Sequence, residues 1–461
     1  MREKCQSPSS QSFFKIHVED FGKIAKADIE LSPLTLFIGD NNSGKSYLLT
    51  LIYGLLSKPF FDLFRQNKDF ISKRFIPMIE DGLSGKTERY RFSPDDFGLL
   101  ERTVNDILER DKKIFIERIF NKKIPIGKLA VEFCPPFPEI DLCFDAVAND
   151  GEMSYLRLET RPKKCCYSRL INTSRFMDGI DRKSLVALMV SAIIRTLLAM
   201  DRPAYLPASR TGFLLAFKSL VGGSIEKAFG IAGAVNAAGN ADKLTVPVID
   251  FLKMLAAFST DEESRHIDYR ARTAEFVENK ILDGKIIVTK TPVPDYMYLP
   301  LGFSESLPMF VSSGVVTETL PLWLVLNKPG INCLMIEEPE TGLHPALQKE
   351  IARALAKIAN LHFPVIASTH SDIILQHVNN MTRLKKRPDR EQVMSKLEYG
   401  EDDRLGSERV AVYQFDASDG GTTVTKIEYD EERGFAAPTF IDALGGILDE
   451  TMDIESEEFS G

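Results

Sequence analysis

One eight-residue motif constrains this chain more than any other feature of its sequence. Residues 39–46 read Gly-Asp-Asn-Asn-Ser-Gly-Lys-Ser and match G-x-x-x-x-G-K-[ST], and the apolar run at 34–38 predicts a buried strand just before them. A strand followed by a glycine-rich turn and a helix forms a phosphate cradle, because backbone N–H groups and the positive helix end face the anion. In such a loop the lysine reaches the β- and γ-phosphates and the final hydroxyl binds Mg²⁺. The motif therefore predicts nucleotide phosphates bound by Gly39, Asn41, Asn42, Ser43, Gly44, Lys45 and Ser46, with Ser46 also binding the metal.

Three further segments follow in the order that a nucleotide hydrolase with this loop requires. A Ser-Ser-Gly turn occupies residues 312–314. The apolar run 333–336 then leads into two glutamates at 337–338, and the apolar run 364–367 leads into Ser-Thr-His-Ser at 368–371. Each pattern alone is weak. Together, in this order, they predict an ATPase.

The Ser-Ser-Gly turn precedes a stretch, Pro321–Leu326, with the character of a helix. A serine and a glycine at a helix start offer a hydroxyl, free N–H groups and a partial positive charge, all of which suit a γ-phosphate. The same three residues are also typical of an ordinary helix cap. Their position about twenty residues before the acidic strand favours a nucleotide contact through Ser312, Ser313 and Gly314.

The two adjacent glutamates, Glu337 and Glu338, follow a buried strand. Phosphoryl transfer needs one carboxylate near Mg²⁺ and another that orients or deprotonates the attacking water. Adjacent residues at a strand end point in different directions, so each suits one of these tasks; two solvated glutamates are the alternative. His370 is predicted to donate to the γ-phosphate, whereas His344 is predicted to be structural.

Length, charge and cysteine content restrict the class of protein. A chain of 461 residues exceeds the usual size of one core and predicts two or three lobes. The formal net charge of -9 argues against a surface coated in positive charge. Six cysteines without C-x-x-C spacing, and a polar segment Met1–Ser12, indicate reduced thiols in a cytoplasmic protein. The most apolar run, Leu185–Met200, is interrupted by Arg195 and is too short to span a bilayer, so we expect a buried helix and no membrane.

Periodicity along the chain predicts a hairpin, Phe13–Val18 with Ala27–Leu31, before the motif and a second hairpin, Val410–Phe415 with Thr423–Tyr429, near the end. Between them, we expect helices at 47–56, 58–128, 183–200 and 211–283, a flexible loop at 230–241, and strands at 139–144, 154–159, 285–289 and 296–299. A final helix is expected after the second hairpin, at 438–448. The acidic run 401–403 lies in a polar loop and is expected to be solvated. The predicted domains are an N-terminal ATPase part at 13–57, an inserted helical and β lobe at 58–284, whose residues 138–210 belong to the first ATPase lobe, and a C-terminal ATPase part at 285–461.

These motifs resemble those of ABC-type ATPases of the RecF, SMC and OLD kind, especially the compact ATPases of bacterial anti-phage systems. The matching blocks lie within about the first 55 and the last 180 residues. They are a hairpin leading to GxNNSGKS at Phe14–Ser46, "SSG…LPL" at Ser312–Leu322, "IEEPE…LHP" at Leu334–Pro345, and "THSD" at Ser368–Asp372.

The resemblance implies an α/β fold, the ABC-type P-loop ATPase head: a mixed sheet with helices on both faces, an antiparallel β subdomain and a largely helical inserted lobe. It also implies a head-to-head dimer that encloses two ATP molecules, in which Lys45 and Ser46 of one subunit face Ser313 and Gly314 of the other. Glu338 matches the catalytic glutamate and His370 the switch histidine. Glu337 stands where many ABC proteins carry a metal-binding aspartate. Residues 205–210 resemble the "YIPASR" segment of the OLD-like branch, which implies that Arg210 lies near the nucleotide.

Differences between this sequence and the family's sequence features exclude some of the family's subtypes. About 275 residues separate Gly39 from Gly314, too few for SMC coiled-coil arms, and there is no zinc-hook cysteine pair. OLD nucleases carry a C-terminal Toprim domain, whereas only about 90 residues follow His370 here, and the run 401–403 does not follow an apolar strand. We therefore expect no intrinsic nuclease activity.

Two functions remain open. The first is a regulatory ATPase, a homodimer or higher oligomer that controls or scaffolds a separate effector, a nuclease or toxin, in anti-phage defence; the alternative is a RecF-like DNA-repair ATPase that clamps DNA. A transporter ATPase is disfavoured because the signature lacks Leu-Ser-Gly-Gly-Gln, and a scaffold without hydrolysis because all hydrolytic motifs are present. DNA binding would need rows of Lys and Arg, and most candidates have acidic neighbours that favour a solvated surface: Lys112-Lys113, Lys122-Lys123, Arg161 with Lys163-Lys164, and Lys385-Lys386-Arg387.

Overall fold

The computed structural model describes residues 14–83, 87, 89–134, 139–145, 155–161, 169–172, 182–198, 200, 202–218, 244–258, 268–291, 293–438, 446 and 448–454. Its strands are β1 (Phe14–Phe21), β2 (Ile24–Glu30), β3 (Leu34–Gly39), β4 (Arg89–Phe92), β5 (Lys128–Phe133), β6 (Glu139–Asp145), β7 (Tyr155–Arg161), β8 (Arg169–Asn172), β9 (Pro203–Leu206), β10 (Gly284–Val288), β11 (Tyr296–Pro300), β12 (Leu307–Pro308), β13 (Cys333–Glu337), β14 (Val365–Thr369), β15 (Val410–Ser418) and β16 (Gly421–Ile427). Its helices are α1 (Lys45–Leu56), α2 (Lys58–Gln66), α3 (Lys68–Leu83), α4 (Pro94–Phe120), α5 (Arg182–Leu198), α6 (Val246–Ala256), α7 (Asp268–Val277), α8 (Gly314–Asn327), α9 (Pro345–Asn360), α10 (Asp372–Lys386) and α11 (Arg390–Leu397). A π-helical turn, Glu278–Leu282, follows α7, and residues 210–218 are also helical.

Nine of the described strands form one mixed sheet, in the order β5-β1-β2-β16-β15-β3-β14-β13-β9. Strands β9, β13, β14, β3 and β15 run parallel to one another. The hairpin β15–β16 is antiparallel and connects this part to β2, β1 and β5, because β16 pairs in parallel with β2. Since parallel strands end at the same edge, the residues that follow β3, β13 and β14 come together there.

The central strands are buried on both faces. Phe37 of β3 and Met335 of β13 belong to a core on one side of the sheet, which also contains apolar residues of α1, α2, α4 and α5. Their neighbours Leu36 and Ile336 belong to a core on the other side, with residues of α8, α9 and α10. Helices therefore cover both faces, which explains why these strands are continuous apolar runs.

Two smaller antiparallel sheets accompany the large one within the described residues. Strands β4, β6, β7 and β8 form one, and β10, β11 and β12 form the other. The expected α/β class, a mixed sheet with helices on both faces together with separate antiparallel β structure, is confirmed. The two predicted hairpins are also present, as β1–β2 and β15–β16.

The structure contradicts the expectation that the whole acidic run at 401–403 is solvated. The three residues form a short 3₁₀ turn, in which Asp403 is completely buried and not solvated. Its Oδ2 lies 2.9 Å from Arg353 Nη2 and its Oδ1 lies 3.1 Å from Lys357 Nζ, both on α9. Because a buried carboxylate needs charged or hydrogen-bonding partners, these two cations explain its burial. The role is structural, and sequence could not reveal it because α9 is about 50 residues away.

Several sequence expectations lie wholly or partly outside the described residues. They are the polar segment 1–12, residue 154 of a predicted strand, Lys163 and Lys164, most of 219–283 including the loop at 230–241, and most of the final helix at 438–448.

Among the described residues, no single helix combines the length and the apolarity needed to cross a bilayer; α1 and α2, bent by 51°, do so only when taken as a pair. The apolar segment 185–200 is confirmed as helical over most of its length in α5, with Val186, Ile194 and Leu198 buried. Cys134 and Cys333 are free thiols, and burial raises the pKa of Cys333.

Candidate nucleotide-binding site

The loop at 39–46 connects the buried strand β3 to α1, and two of its positions require glycine. Gly39 has φ 132° and Gly44 has φ 99°, backbone angles that side chains of L-residues rarely adopt. A Cβ atom at Gly39 would lie 2.4 Å from the Phe415 carbonyl oxygen, and one at Gly44 would lie 3.0 Å from Ile24 Cγ1. At these two positions the neighbouring strands therefore leave no space for a side chain. Asn41 and Asn42 are exposed and line the cavity beside the loop.

Lys45 points back into this loop and is almost completely buried, with 5% of its surface exposed. Its ammonium donates to the carbonyl oxygens of Gly39, at 2.9 Å, and Asp40, at 2.6 Å. It also donates to Ser43 Oγ at 3.2 Å. Burial lowers the pKa of Lys45 to about 8, against the opposing effect of Glu338. The ammonium thus lies at the centre of the loop, where phosphate oxygens are expected.

Glu337 is the last residue of β13 and lies beside Ser46, although the two are far apart in sequence. Its carboxylate accepts hydrogen bonds from the Tyr205 hydroxyl and from the Ala208 N–H at 3.3 Å, and the nearby Ser46 hydroxyl acts to lower its pKa. Burial raises the pKa of Glu337, and these hydrogen bonds act against that change. Ser46 and Glu337, the two predicted metal ligands, are therefore brought together.

Glu338 follows the strand in a left-handed conformation, with φ 43°, which is strained for a residue with a side chain. Its N–H donates to the Ser368 carbonyl at 2.8 Å, and its side chain has other partners than that of Glu337. Oε2 accepts from the Thr341 hydroxyl at 3.2 Å, and Oε1 lies 3.8 Å from His370 Nε2. The two predicted catalytic residues, Glu338 and His370, thus face one another.

Burial lowers the pKa of His370, and the nearby Lys45 lowers it further. The imidazole is therefore neutral near pH 7, so that one ring nitrogen donates a hydrogen bond and the other accepts one. A neutral histidine beside Glu338 can donate to a phosphate oxygen without adding a full charge.

Glu340 is a site residue that sequence analysis did not single out. Its Oε1 accepts from the His370 N–H at 2.6 Å and from the Thr369 hydroxyl at 2.9 Å, and burial raises the pKa of this carboxyl group. Glu340 therefore holds the end of β14 and fixes the backbone of His370. No sequence signal distinguishes it from a solvated glutamate.

A cavity of about 410 Å³ lies against the loop. Glu338, Ser368 and His370 line one side of it, and residues from the segment 122–125 and the β1–β2 turn line another. Lys122 and Lys123 are exposed, as the prediction of a solvated surface requires, and they also line this cavity. The antiparallel pairing of β5 with β1 explains this position, because it brings Pro125 to Gly22, whose N–H donates to the Pro125 carbonyl at 3.3 Å.

Tyr47, the residue after the motif, also lines this cavity and is 47% exposed. Its ring is stacked on Phe120, with centroids 5.6 Å apart and planes inclined by 28°. Such a fixed, partly exposed aromatic face suits a planar base. The cavity thus combines cationic and aromatic groups from three segments of the chain.

Ser312, Ser313 and Gly314 do not line this cavity. Ser313 is the N-cap of α8, which begins at Gly314 and contains Pro321, so the helix starts earlier than predicted. Both Ser313 and Gly314 are exposed, and the Ser313 side chain makes no capping hydrogen bond. The signature segment, residues 312–314, therefore leaves Ser313 and the N-terminus of α8 exposed and outside the lining of the chain's own cavity.

No group of three or more His, Cys, Asp or Glu side chains within the described part of the chain could hold a metal ion. Mg²⁺ bound to a nucleotide usually takes only one or two protein ligands, with phosphate oxygens and waters completing its shell. The pair of Ser46 and Glu337 fits that chemistry.

A family model described as an AAA ATPase domain matches residues 14–175 and 326–375, which is less than half of the chain. The matched ranges include the loop at 39–46, Glu337, Glu338 and His370.

Over these two ranges the chain is similar to AAA ATPase domains.

No curated protein matches the chain. Three solved structures are similar to it at 12% sequence identity. The SMC head bound to the C-winged helix domain of ScpA has a TM-score of 0.36, with 92% of this chain and 99% of that chain covered. The SMC head domain from Thermotoga maritima has a TM-score of 0.33, with 90% and 98% covered. The Smc head domain with an extended coiled coil, bound to the C-terminal domain of ScpA from Pyrococcus furiosus, has a TM-score of 0.37, with 95% and 98% covered.

Proposed function

We propose that this chain binds ATP with Mg²⁺ in the cavity beside its phosphate-binding loop, hydrolyses the ATP, and forms a dimer that encloses two nucleotides. The observation that carries the proposal is the convergence of Lys45, Ser46, Glu337, Glu338 and His370 at one edge of the parallel sheet. These residues come from the ends of three neighbouring strands, where α/β proteins place their ligands.

The chain's own residues divide the chemistry of hydrolysis between them. Lys45 and the loop N–H groups hold the phosphates, and Ser46 and Glu337 would hold Mg²⁺, which when bound neutralises phosphate charge. Glu338 accepts a proton from the attacking water, because its carboxylate lines the cavity beside His370 and is only partly buried. The neutral His370 donates to the terminal phosphate, and its backbone is fixed by Glu340.

The signature segment supports a dimer. A Cβ atom added at Gly314 would meet nothing within 4 Å, so packing within this chain does not require a glycine there. Exposed Ser313 and Gly314 at the start of a 14-residue helix instead offer an anion site without a ligand from their own subunit. We propose that they contact the γ-phosphate held by Lys45 of a second copy.

Replacement of Ser313 by arginine tests this arrangement. We expect Ser313→Arg to bind ATP normally, to remain a monomer with ATP and Mg²⁺, and to lose about 100-fold in turnover, because the added side chain blocks the partner's phosphate. Light scattering measures whether the variant remains a monomer, and steady-state hydrolysis measures its turnover. Ser395→Arg, at an exposed position of α11, is the matched control. Wild-type hydrolysis by Ser313→Arg would show that the segment does not act on a partner's nucleotide.

We further propose that the dimer, or a higher oligomer of it, is cytoplasmic and regulates or scaffolds a separate effector, a nuclease or toxin, in anti-phage defence. Positions of basic residues favour this role over a RecF-like DNA clamp. Lys122 and Lys123 border the chain's own nucleotide cavity, and Lys385 and Arg387 are paired with acidic side chains, Glu408 and Asp389. These cations are thus less available to a DNA duplex.

We propose the same division of the chain as the sequence suggests: ATPase parts at 13–57 and 285–461 with an inserted lobe at 58–284. Seven strands of the large sheet come from the two ATPase parts, and β5 and β9 come from the inserted segment. Strand β9 lies within 138–210, the portion assigned to the first ATPase lobe.

Affinity purification of Glu338→Gln with ATP and Mg²⁺ from the native host distinguishes the two roles. A stoichiometric nuclease or toxin, identified by mass spectrometry, would support the regulatory ATPase. Recovery of DNA without a protein partner would support the clamp instead. The Ser313→Arg variant is the control, because a partner that requires the closed dimer should be lost from it.

The low pKa of Lys45 predicts that ATP binding depends on pH. Below about pH 8 the Lys45 ammonium of the free chain is already charged. Above that pH, Lys45 of the free chain is neutral, and bound phosphates favour its charged form. ATP binding should therefore take up a proton above pH 8, and the affinity should fall by at most about tenfold per pH unit. The last ionisation of a terminal phosphate has a pKa of about 6, so the phosphate does not contribute to proton uptake above pH 8.

Calorimetry in two buffers of different ionisation enthalpy, at pH 7 and pH 9, measures this uptake. We expect none at pH 7 and close to one proton at pH 9. Lys45→Arg, whose guanidinium stays charged, should show no uptake at either pH. Equal enthalpies in both buffers at pH 9 for the wild type would contradict the assignment.

A further inference from the structure

Arg210 is a buried charge that the proposed chemistry does not use. It follows β9 at the start of the helical residues 210–218, and only 1% of its surface is exposed. Burial of a guanidinium is costly unless its N–H groups are paired, so its partners indicate what it does.

The guanidinium of Arg210 holds the backbone that carries both candidate glutamates of the site. Nη1 donates to the Glu337 carbonyl at 2.5 Å, and Nη2 donates to the Glu338 carbonyl at 3.1 Å. Nη1 also donates to the Pro207 carbonyl at 3.3 Å. The strained turn at Glu338 is thus held from behind by one planar group.

The same guanidinium contacts α8, the helix that begins with the signature segment. Nε donates to the Glu318 carbonyl at 3.1 Å and lies 3.0 Å from Glu318 Oε2. The adjacent Thr211 strengthens this link, because its N–H donates to Glu318 Oε1 at 3.3 Å and its hydroxyl lies 2.8 Å from that of Thr317. These contacts reach the first turns of α8.

The turn after the glutamates packs against the same helix. A Cβ atom at Gly342, which has φ 71°, would lie 3.2 Å from Glu318 Cγ and 3.9 Å from the Gly314 carbonyl. The start of α8, the turn at 341–343 and the end of β13 therefore form one packed unit around Arg210.

We propose that Arg210 is a positioning residue that connects the signature segment of a subunit to the Glu337–Glu338 turn of the same subunit. This inference rests on the proposed dimer, in which the signature segment of one subunit contacts the nucleotide held by its partner. Occupancy of the partner's site then moves α8, and Glu318 and Arg210 carry this displacement to the carboxylates that act on the subunit's own nucleotide. The connection makes the two ATP sites hydrolyse cooperatively.

An arginine suits this task because its N–H groups lie in a rigid plane and bind several acceptors in fixed directions. A lysine at this position would retain the charge, but its three N–H donors radiate from one atom at the end of a flexible chain, so it would not hold the Glu318 carboxylate and the two carbonyls in the fixed directions of a guanidinium. The arginine can therefore transmit a movement that a flexible side chain would absorb.

The test compares Arg210→Lys and Glu318→Gln with the wild type by ATP affinity, kcat and the Hill coefficient of hydrolysis. We expect a wild-type Hill coefficient above 1. In both variants we expect it to fall to about 1 and kcat to fall about tenfold, while the ATP affinity measured in the Ser313→Arg background changes less than about twofold. Arg409→Lys, which removes a hydrogen bond to the Ala359 carbonyl and lies outside the lining of the cavity, is the control for loss of a half-buried arginine that holds a carbonyl.

A wild-type Hill coefficient of 1, or unchanged cooperativity in both variants, would overturn the inference. A parallel loss of ATP affinity and kcat would also overturn it, because that pattern indicates damage to the fold. If Arg210→Lys fails to fold, Glu318→Gln decides the question, since it keeps the size of the side chain and the carbonyl acceptor. Failure of the dimer itself would be visible separately, as wild-type hydrolysis by Ser313→Arg.

Discussion

Replacement of Glu338 by glutamine is expected to reduce ATP turnover by about 100-fold or more while ATP binding persists, because a general base contributes about 10²–10⁴-fold to such a reaction. Glutamine has the same size and keeps an oxygen that can accept from Thr341, but it cannot take a proton from water. The side chain is 40% exposed, so little packing is lost. An ATP-bound dimer should accumulate, and size-exclusion chromatography with ATP and Mg²⁺ should detect it.

Glu305→Gln is the matched control, because Glu305 is exposed and does not line the cavity. It should hydrolyse ATP at the wild-type rate and should not accumulate the dimer. Unchanged turnover in Glu338→Gln would assign the role of base to another group. Glu340, whose carboxylate lies in the same turn and whose pKa is raised by burial, would then be the next residue to test.

Replacement of Lys45 by alanine is expected to weaken ATP binding by about 10- to 100-fold, since a buried hydrogen bond to a charged group contributes about 1.5–3 kcal/mol. The effect is large because no other described cation lies inside the loop; Lys23, Lys122 and Lys123 line the same cavity from other segments. Titration calorimetry with an ATP analogue that cannot be hydrolysed measures the change directly.

Lys285→Ala, at an exposed position of β10, should retain wild-type affinity and serves as the control. Thermal unfolding without nucleotide must be compared as well, since Lys45 also holds the carbonyls of Gly39 and Asp40. Normal affinity in a folded Lys45→Ala variant would exclude this loop as the phosphate site.

Much of the phosphate-binding loop was predictable because its geometry is local. A buried strand, two glycines with positive φ and a helix within about twenty residues specify the loop at 34–56 without help from distant residues. The glutamates at 337–338 were predictable for a similar reason, since carboxylates at the end of an apolar run mark the edge of a parallel sheet. Sequence spacing alone did not decide which glutamate faces Ser46; the family resemblance assigned Glu337, and the structure places it there.

Other features could not be predicted because they depend on contacts between distant segments. Strand β5 was not recognised, since its partner β1 lies more than 100 residues away, and the position of Lys122 and Lys123 depends on that pairing. The prediction that the acidic run at 401–403 is solvated was wrong for Asp403, because Arg353 and Lys357 of a distant helix neutralise it. Glu340 was overlooked for the same reason, since its partners are at 369–370.

By itself, the sequence determined the chemistry that this chain can perform: a phosphate cradle with its lysine and hydroxyl, a pair of carboxylates, and a histidine, each at the end of a recognisable strand. These are properties of short segments, set by backbone conformation and side-chain type within a few residues. Only the tertiary structure decided how they act together. The order of strands in the sheet brings Glu337 to Ser46 and Glu338 to His370, and Arg210 joins their turn to α8. Such pairings arise because many weak, non-local contacts are satisfied at once, and no spacing along the chain encodes them.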